Sequence, residues 1–353
     1  MHIFREITIQ NPARFRKFVG IMKRNSQLST LIHKMEIRPE YNAAMLLEAV
    51  EHLLAPRLTN LSTLIIQSHP ALPTPASLGF GHSVLRTVTA WLRRRQRYPH
   101  PPETYVDLRR APHWLGSRFG CVTTLKLCKL QFVDAADFGA MLCAFPNLST
   151  LHCVEVIWFQ SSTGHPFPAR ALKGVTNLHL YTTGLWLFGC EDLMVSTPTS
   201  LSKLALSADL LPPHRDLSQS ISRLKLERFA SLVELHLICS KRFIRRGWIS
   251  NVLTHIQSPV LRRVKIQIPF MGTPDGTSIS ERDFWHQLSC NSIDEVLSRP
   301  SFSGLREVVF AFDRVAETSH DLPYRISVKL HLPKLNEKRM LRVIFSDRSK
   351  NVS

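Results

Sequence analysis

Residues 121–156, CVTTLKLCKLQFVDAADFGAMLCAFPNLSTLHCVEV, constrain the fold more tightly than any other stretch of the chain. Two segments share an L-x-x-L-x-L spacing: Val122, Leu125 and Leu127, then Leu148, Leu151 and Cys153. The spacing predicts two strands with a helix between them. Asp134 is placed to cap that helix, with Asp137 at its third position. Phe138, Met141, Leu142 and Phe145 fall at i, i+3, i+4 and i+7, one face of a helix that Pro146 ends. A unit this short cannot bury its apolar face alone. It has to stack on copies of itself.

The copies are present. The template restarts at Val122, Leu148, Val175, Leu201, Leu232 and Leu261, at intervals of 26, 27, 26, 31 and 29 residues. A further copy, Leu305, Val308 and Phe310, follows a longer insert at 269–300. The period is that of leucine-rich repeats, roughly 20–29 residues, with small over-runs. The expected fold is therefore an α/β leucine-rich-repeat solenoid, with parallel strands on the concave face and helices on the convex face. The ninth template position holds Leu130, Val156, Thr183, Asp209, Ser240 and Pro269. No asparagine ladder can form there, which predicts less uniform turns.

The chain, residues 1–353, reads as one solenoid: an N-terminal helical cap with first repeats (1–59), an irregular Pro- and Arg-rich insert (69–121), regular repeats (122–311) and a C-terminal cap or tail (312–353). Within the first part a helix is expected over 11–27, with Phe15, Phe18, Val19 and Met22 on one face and Arg14, Arg16, Lys17, Lys23 and Arg24 on the rest. Strands are expected near 33–38 and 60–68, and further helices over 41–54, 84–97 and about 105–119. In the tail, RISVKLHL and RMLRVIF read as two strands closing the open end.

Composition narrows the classes. No run reaches the ~18–20 apolar residues that span a membrane, and the first thirty residues lack the apolar core of a secretory signal. Seven scattered cysteines, none in a C-x-x-C pair, suit a reducing compartment, cytoplasmic or nuclear. There is no P-loop, no G-x-G-x-x-G after a strand, no G-x-S-x-G and no H-E-x-x-H, so neither an enzyme nor a cofactor is expected.

FREITI (4–9) with the helix RFRKFVGIMKRN, DFGAMLCAFPNLSTLHCVEVIW (137–158) and LPKLNEKRMLRVIF (332–345) resemble the leucine-rich-repeat portion of fungal, particularly basidiomycete, F-box proteins. The resemblance spans nearly the whole chain and implies the substrate-recognition half of a ubiquitin-ligase receptor. The family's F-box, the helical segment that docks the ligase adaptor, has no match here, so an adaptor is an expected partner only where an F-box lies upstream.

Side chains between the apolar template positions alternate to the concave face. Between positions 4 and 6 stand Lys126, His152, His179, Ala205, His236, Lys265 and Val309. Two residues earlier stand Thr124, Thr150, Asn177, Lys203, Glu234, Arg263 and Glu307. Four cations, two anions and three histidines make this a mildly basic surface. The binding residues expected are Lys126, His152, His179, Lys203, Glu234, His236, Arg263 and Lys265, and the expected partner is a protein segment, acidic in character. A wet sheet face with no partner is the plain alternative. His152 and His179 should lie side by side, but two imidazoles without a third ligand do not make a zinc site.

The net charge of +18 adds a second reading, a basic nucleic-acid-binding repeat protein. Its carriers would be Arg93, Arg94, Arg95 and Arg97, between Trp91 and Tyr98, and Arg245 and Arg246 before Trp248. The ordinary reading of such runs is a solvated helix end. A third reading is an orphaned fragment without a partner.

Overall fold

The computed structural model describes residues 5–10, 12–38, 56–67, 106–107, 119–160, 167–168, 170–181, 190–207, 217–239, 247–268, 288–314 and 327–347, with Leu54 and Trp285. Its spine is one eleven-stranded sheet in the order β1-β2-β3-β5-β7-β9-β10-β11-β12-β13-β14. The strands are β1 (Glu6–Ile9), β2 (Lys34–Ile37), β3 (Thr63–Gln67), β5 (Thr124–Cys128), β7 (Thr150–Val154), β9 (Asn177–Tyr181), β10 (Lys203–Ser207), β11 (Glu234–Ile238), β12 (Arg263–Ile268), β13 (Glu307–Arg314) and β14 (Leu341–Asp347). Every neighbouring pair is parallel.

Register follows the template. Leu64, Leu125, Leu151, Leu178, Leu204, Leu235, Val264 and Val308 stand opposite one another across the sheet. These position-4 residues, and those at position 6, are buried in one continuous core. A slip of one residue would turn every one of them to the other face, so apolar burial excludes that slip.

A second device reinforces it at position 2, just before each strand. The position-2 carbonyl accepts two backbone N–H groups from the next repeat: His33 O from Ser62 and Thr63, Ser62 O from Thr123 and Thr124, and so on to Arg262 O from Arg306 and Glu307. In five consecutive repeats a position-2 hydroxyl donates to the same carbonyl. Ser62 bonds His33 O (3.1 Å), Thr123 bonds Ser62 O (3.3 Å), Ser149 bonds Thr123 O (3.1 Å), Thr176 bonds Ser149 O (3.3 Å) and Ser202 bonds Thr176 O (3.1 Å). This hydroxyl ladder runs at position 2, at the opposite end of the strands from position 9. Position 9 itself is apolar and buried in Leu130 and Val156.

After β5 and β7 the chain turns through a left-handed residue, Lys129 (φ 56°) and Glu155 (φ 54°). It then enters β6 (Leu130–Asp134) and β8 (Ile157–Gln160), which with β4 (Val106–Asp107) form a second parallel sheet. The turn backbones are satisfied between repeats, Lys129 N–H by Val154 O and Glu155 N–H by Tyr181 O, each at 2.8 Å. Asp134 then caps α3 (Ala135–Leu142), its carboxylate accepting from Asp137 N–H at 2.8 Å. Phe138 is buried against Phe132, Trp158 and Phe167.

Other described helices include α1 (Pro12–Arg24), α2 (Leu28–Leu31), α4 (Cys190–Ser196), α5 (Leu217–Arg223), α6 (Trp248–Thr254), α7 (Cys290–Leu297) and α8 (Pro333–Glu337). Phe15, Val19 and Met22 of α1 are buried and Phe18 packs on the core, as their spacing predicts.

The structure corrects the sequence reading at three places. Ahead of the expected N-terminal helix, which is α1, the structure adds a strand, β1. Val106 and Asp107, expected at the start of a helix, pair with β6. RISVKLHL is not a strand: residues 327–331 are helical, with Val328 buried, and only RMLRVIF supplies one, β14, in parallel register on β13. The predicted helices over 41–54 and 84–97 lie outside the described residues.

Two glycines in helices make opposite demands. A Cβ on Gly139 in α3 would sit 2.4 Å from Pro168 Cδ, whereas one on Gly20 in α1 would meet nothing within 4 Å. Gly139→Ala is expected to destabilise by about 1–3 kcal/mol through overpacking, and Gly20→Ala to stabilise by about 0.5–1 kcal/mol through helix propensity. Urea titration of both variants reads the two signs.

Candidate concave binding face

Positions 3, 5 and 7 of each strand point away from the core. Their register builds unbroken rows. The position-5 row runs Thr8, Glu36, Ile65, Lys126, His152, His179, Ala205, His236, Lys265, Val309 and Arg342. The position-3 row runs Glu6, Lys34, Thr63, Thr124, Thr150, Asn177, Lys203, Glu234, Arg263 and Glu307. All eight residues expected on this face are brought together in these two adjacent rows.

Their charges are not all available. Lys203 Nζ lies 3.1 Å from Glu234 Oε2, and Arg263 Nε lies 2.9 Å from Glu307 Oε2, whose other oxygen meets Arg342 at 3.3 Å. At the opposite end Lys34 pairs with Glu6 at 2.9 Å and Arg38 with Glu36 at 2.6 Å. These contacts are partly exposed, so each contributes little to stability. Their effect is to make both flanks of the face nearly neutral. Lys126, exposed, has no ion pair among the described residues.

The histidines are uncharged. His152 and His179 stack with ring centroids 4.1 Å apart and planes inclined by 14°. Burial, with His179 and Lys126 alongside, pushes His152 down to about 4. Burial, then Lys203, lowers His179. Burial and Lys265 push His236 down to about 4 against the opposing effect of a hydrogen bond to Gln267. In that bond His236 Nε2 lies 3.0 Å from Gln267 Oε1, while Gln267 Nε2 donates to both Asp313 oxygens at 3.0 and 3.2 Å. The amide is thereby oriented with its oxygen towards the imidazole, which fixes the proton of the neutral ring on Nε2. Ala205, between His179 and His236, is only 1% exposed. Lys265 is lowered by burial, with Asp313 acting in the opposite direction.

The resulting surface is a polar, uncharged centre (Thr124, Thr150, Asn177, His152 and His179) between Lys126 and Lys265. Its make-up differs from the basic surface that residue counting predicts. Residue patterning starts the rows at Thr124 and Lys126, whereas the earlier repeats contribute Lys34, Glu36, Thr63 and Ile65 to them, as the template at Leu61, Leu64 and Ile66 signals. Gln267 and Asp313 carried no signal, because their roles depend on contacts across strands.

Among the described residues no group of three or more His, Cys, Asp or Glu side chains is placed to hold a metal ion. Burial raises the Cys128 thiol to about 11 and the Cys290 thiol to about 12, so both are protonated at neutral pH. No described helix is long and apolar enough to cross a membrane. Arg93, Arg94, Arg95, Arg97, Arg245 and Arg246 lie outside the described residues.

Rows of in-register parallel strands with helices packed behind them define an α/β solenoid of the leucine-rich-repeat kind. No protein-family model matches the chain, and no curated protein matches it. Among solved structures, the leucine-rich repeat-containing protein LegL7 from Legionella pneumophila is similar over 93% of this chain and 90% of its own, with a TM-score of 0.46 and 11% identity. The fold assignment rests on the strand register of this chain itself.

The depressed histidines set a pH dependence. In the unfolded chain a histidine takes up its proton near pH 6.5, whereas His152 and His236 do so at about 4 in the fold. Between these values the unfolded state binds more protons, so stability present above pH 6.5 is lost as the pH falls towards 4. The melting temperature is expected to drop across that window. The drop should be shallower in His152→Gln/His236→Gln, and NMR titration should show both native rings still neutral at pH 5.5.

Proposed function

We propose that this chain is a non-enzymatic protein-recognition solenoid whose concave face takes an extended segment of a partner protein. The observation that carries the reading is the position-5 row, in which two lysines bracket a neutral, hydrogen-bonding strip while the neighbouring cations are matched by carboxylates. Lys126 and Lys265 are five strands apart, about 24 Å at roughly 4.8 Å per strand. An extended segment crossing the strands covers that span in about seven residues at roughly 3.3 Å each. A partner with acidic side chains about seven positions apart would match both lysines, and its backbone would find Thr124, Thr150 and Asn177 between them.

The role is similar to that of the substrate-recognition part of an F-box ubiquitin-ligase receptor, as the resemblance of 137–158 and 332–345 implies. The surface just described bears on the recognition half of that role. The cytoplasm or nucleus, where such receptors work, is the compartment proposed.

Affinity capture from nuclease-treated extract tests the reading, comparing the wild type with Lys126→Glu/Lys265→Glu. A defined set of proteins is expected to be lost from the variant, by tenfold or more, while its melting temperature stays within 2–3 °C of the wild type, as for substitutions of about 0.5 kcal/mol outside the apolar core. Identical captured sets would remove the concave face from the function. A cullin-ligase adaptor among the proteins common to both would support the receptor role.

A further inference from the structure

The helix α1 presents a second surface, separate from the concave face. It carries five basic residues and no acidic one in thirteen residues. Its apolar side chains Phe15, Val19 and Met22 are buried in the core, which turns Arg16, Lys17, Lys23 and Arg24 outwards, all exposed. None of these four makes an ion pair with a described residue. Arg14 is tied to Gln10 Oε1 at 2.6 Å.

The four outward cations form two pairs, Arg16/Lys23 and Lys17/Arg24, each separated by seven residues, about 10.5 Å along the axis. Successive residues rotate by about 100°, so Lys17 and Arg24 lie along the outermost line of the helix with Ala13 and Gly20. Gly20 weakens the helix, and the space around it would accept a larger residue without contact. No described contact therefore requires it. A ligand surface that approaches the helix backbone between the two cation pairs does.

We infer that the outer face of α1 is a nucleic-acid backbone site, with Arg16, Lys17, Lys23 and Arg24 each neutralising one phosphate. Neutralisation of phosphates releases counterions and needs no apolar contact. That distinguishes it from the other polyanionic surfaces. A helix that lies on a membrane buries its apolar face in the lipid, and the apolar face of α1 is already in the protein core. A protein interface is centred on buried aromatic and Met side chains and is poor in Lys and Ala, whereas the outermost line here is Ala13, Lys17, Gly20 and Arg24, with Ile21 to one side and no aromatic or Met side chain. The site reads charge and not sequence, because phosphate contacts carry no base information. A leucine-rich-repeat solenoid with this site would hold a protein on its inner face and a nucleic acid on its outer one.

The test is fluorescence anisotropy of a labelled 20-base-pair duplex of arbitrary sequence, titrated with the full chain at 50–200 mM KCl. Four phosphate contacts contribute about −3.6 to the slope of log K against log[salt]. Arg16→Gln/Lys17→Gln/Lys23→Gln/Arg24→Gln should flatten the slope by about 3–4. Between 50 and 200 mM the wild type should lose roughly 100-fold more affinity than this variant. Lys126→Gln/Lys265→Gln should leave the slope unchanged, which separates this site from the concave face. Arg16→Lys/Arg24→Lys should retain the slope. An unchanged slope in the fourfold variant, no duplex binding by the wild type at 50 mM, or loss of binding only to phosphatidylserine vesicles would each overturn the inference.

Discussion

The structure depends on one repeated interaction, the shared carbonyl at position 2. Each such oxygen takes two backbone N–H groups from the following repeat, and in five consecutive repeats a hydroxyl as well. The bond sits where each strand begins. It therefore fixes the starting point of each strand from β2 to β13 relative to the one before, while apolar residues at positions 4 and 6 supply the burial. Position 9, apolar here, contributes core volume in Leu130 and Val156. The strictly in-register rows on the concave side follow from that shared origin.

Much of this was legible in the sequence. The L-x-x-L-x-L spacing recurs often enough to define the sheet, and Asp134 is where a helix cap should be and acts as one. The errors have a common physical source. RISVKLHL alternates like a strand, yet it is helical, with Val328 buried. A short apolar alternation is compatible with either period, and tertiary packing decides between them. Val106 and Asp107 carry no strand signal because the second sheet has no template of its own: its other two strands, β6 and β8, follow left-handed turns at Lys129 and Glu155.

The face was legible in its membership but not in its electrostatics. Residue types give Lys203, Arg263 and three histidines as contributors of positive character. Pairing across strands with Glu234 and Glu307 cancels the first two, and burial holds the imidazoles neutral. Neither effect is local in sequence: the paired residues are 31 and 44 positions apart. The hydroxyl ladder, by contrast, is spelled out in the sequence as Ser or Thr before five consecutive strands, at Ser62, Thr123, Ser149, Thr176 and Ser202.

One further contact bears on how the far end of the array behaves. Asp294 of α7 is 3% exposed, and its two carboxylate oxygens accept the N–H groups of Lys334 and Leu335 at 3.0 and 2.9 Å. Separating α8 from α7 would strand a carboxylate that has no other described partner of that kind, and a charged group left without its hydrogen bonds is costly. In a stack whose units touch only their neighbours, cooperativity is decided at each joint. Here the joint is latched, so the repeats that hold α7 and α8 should melt as a single block rather than fraying one from the other.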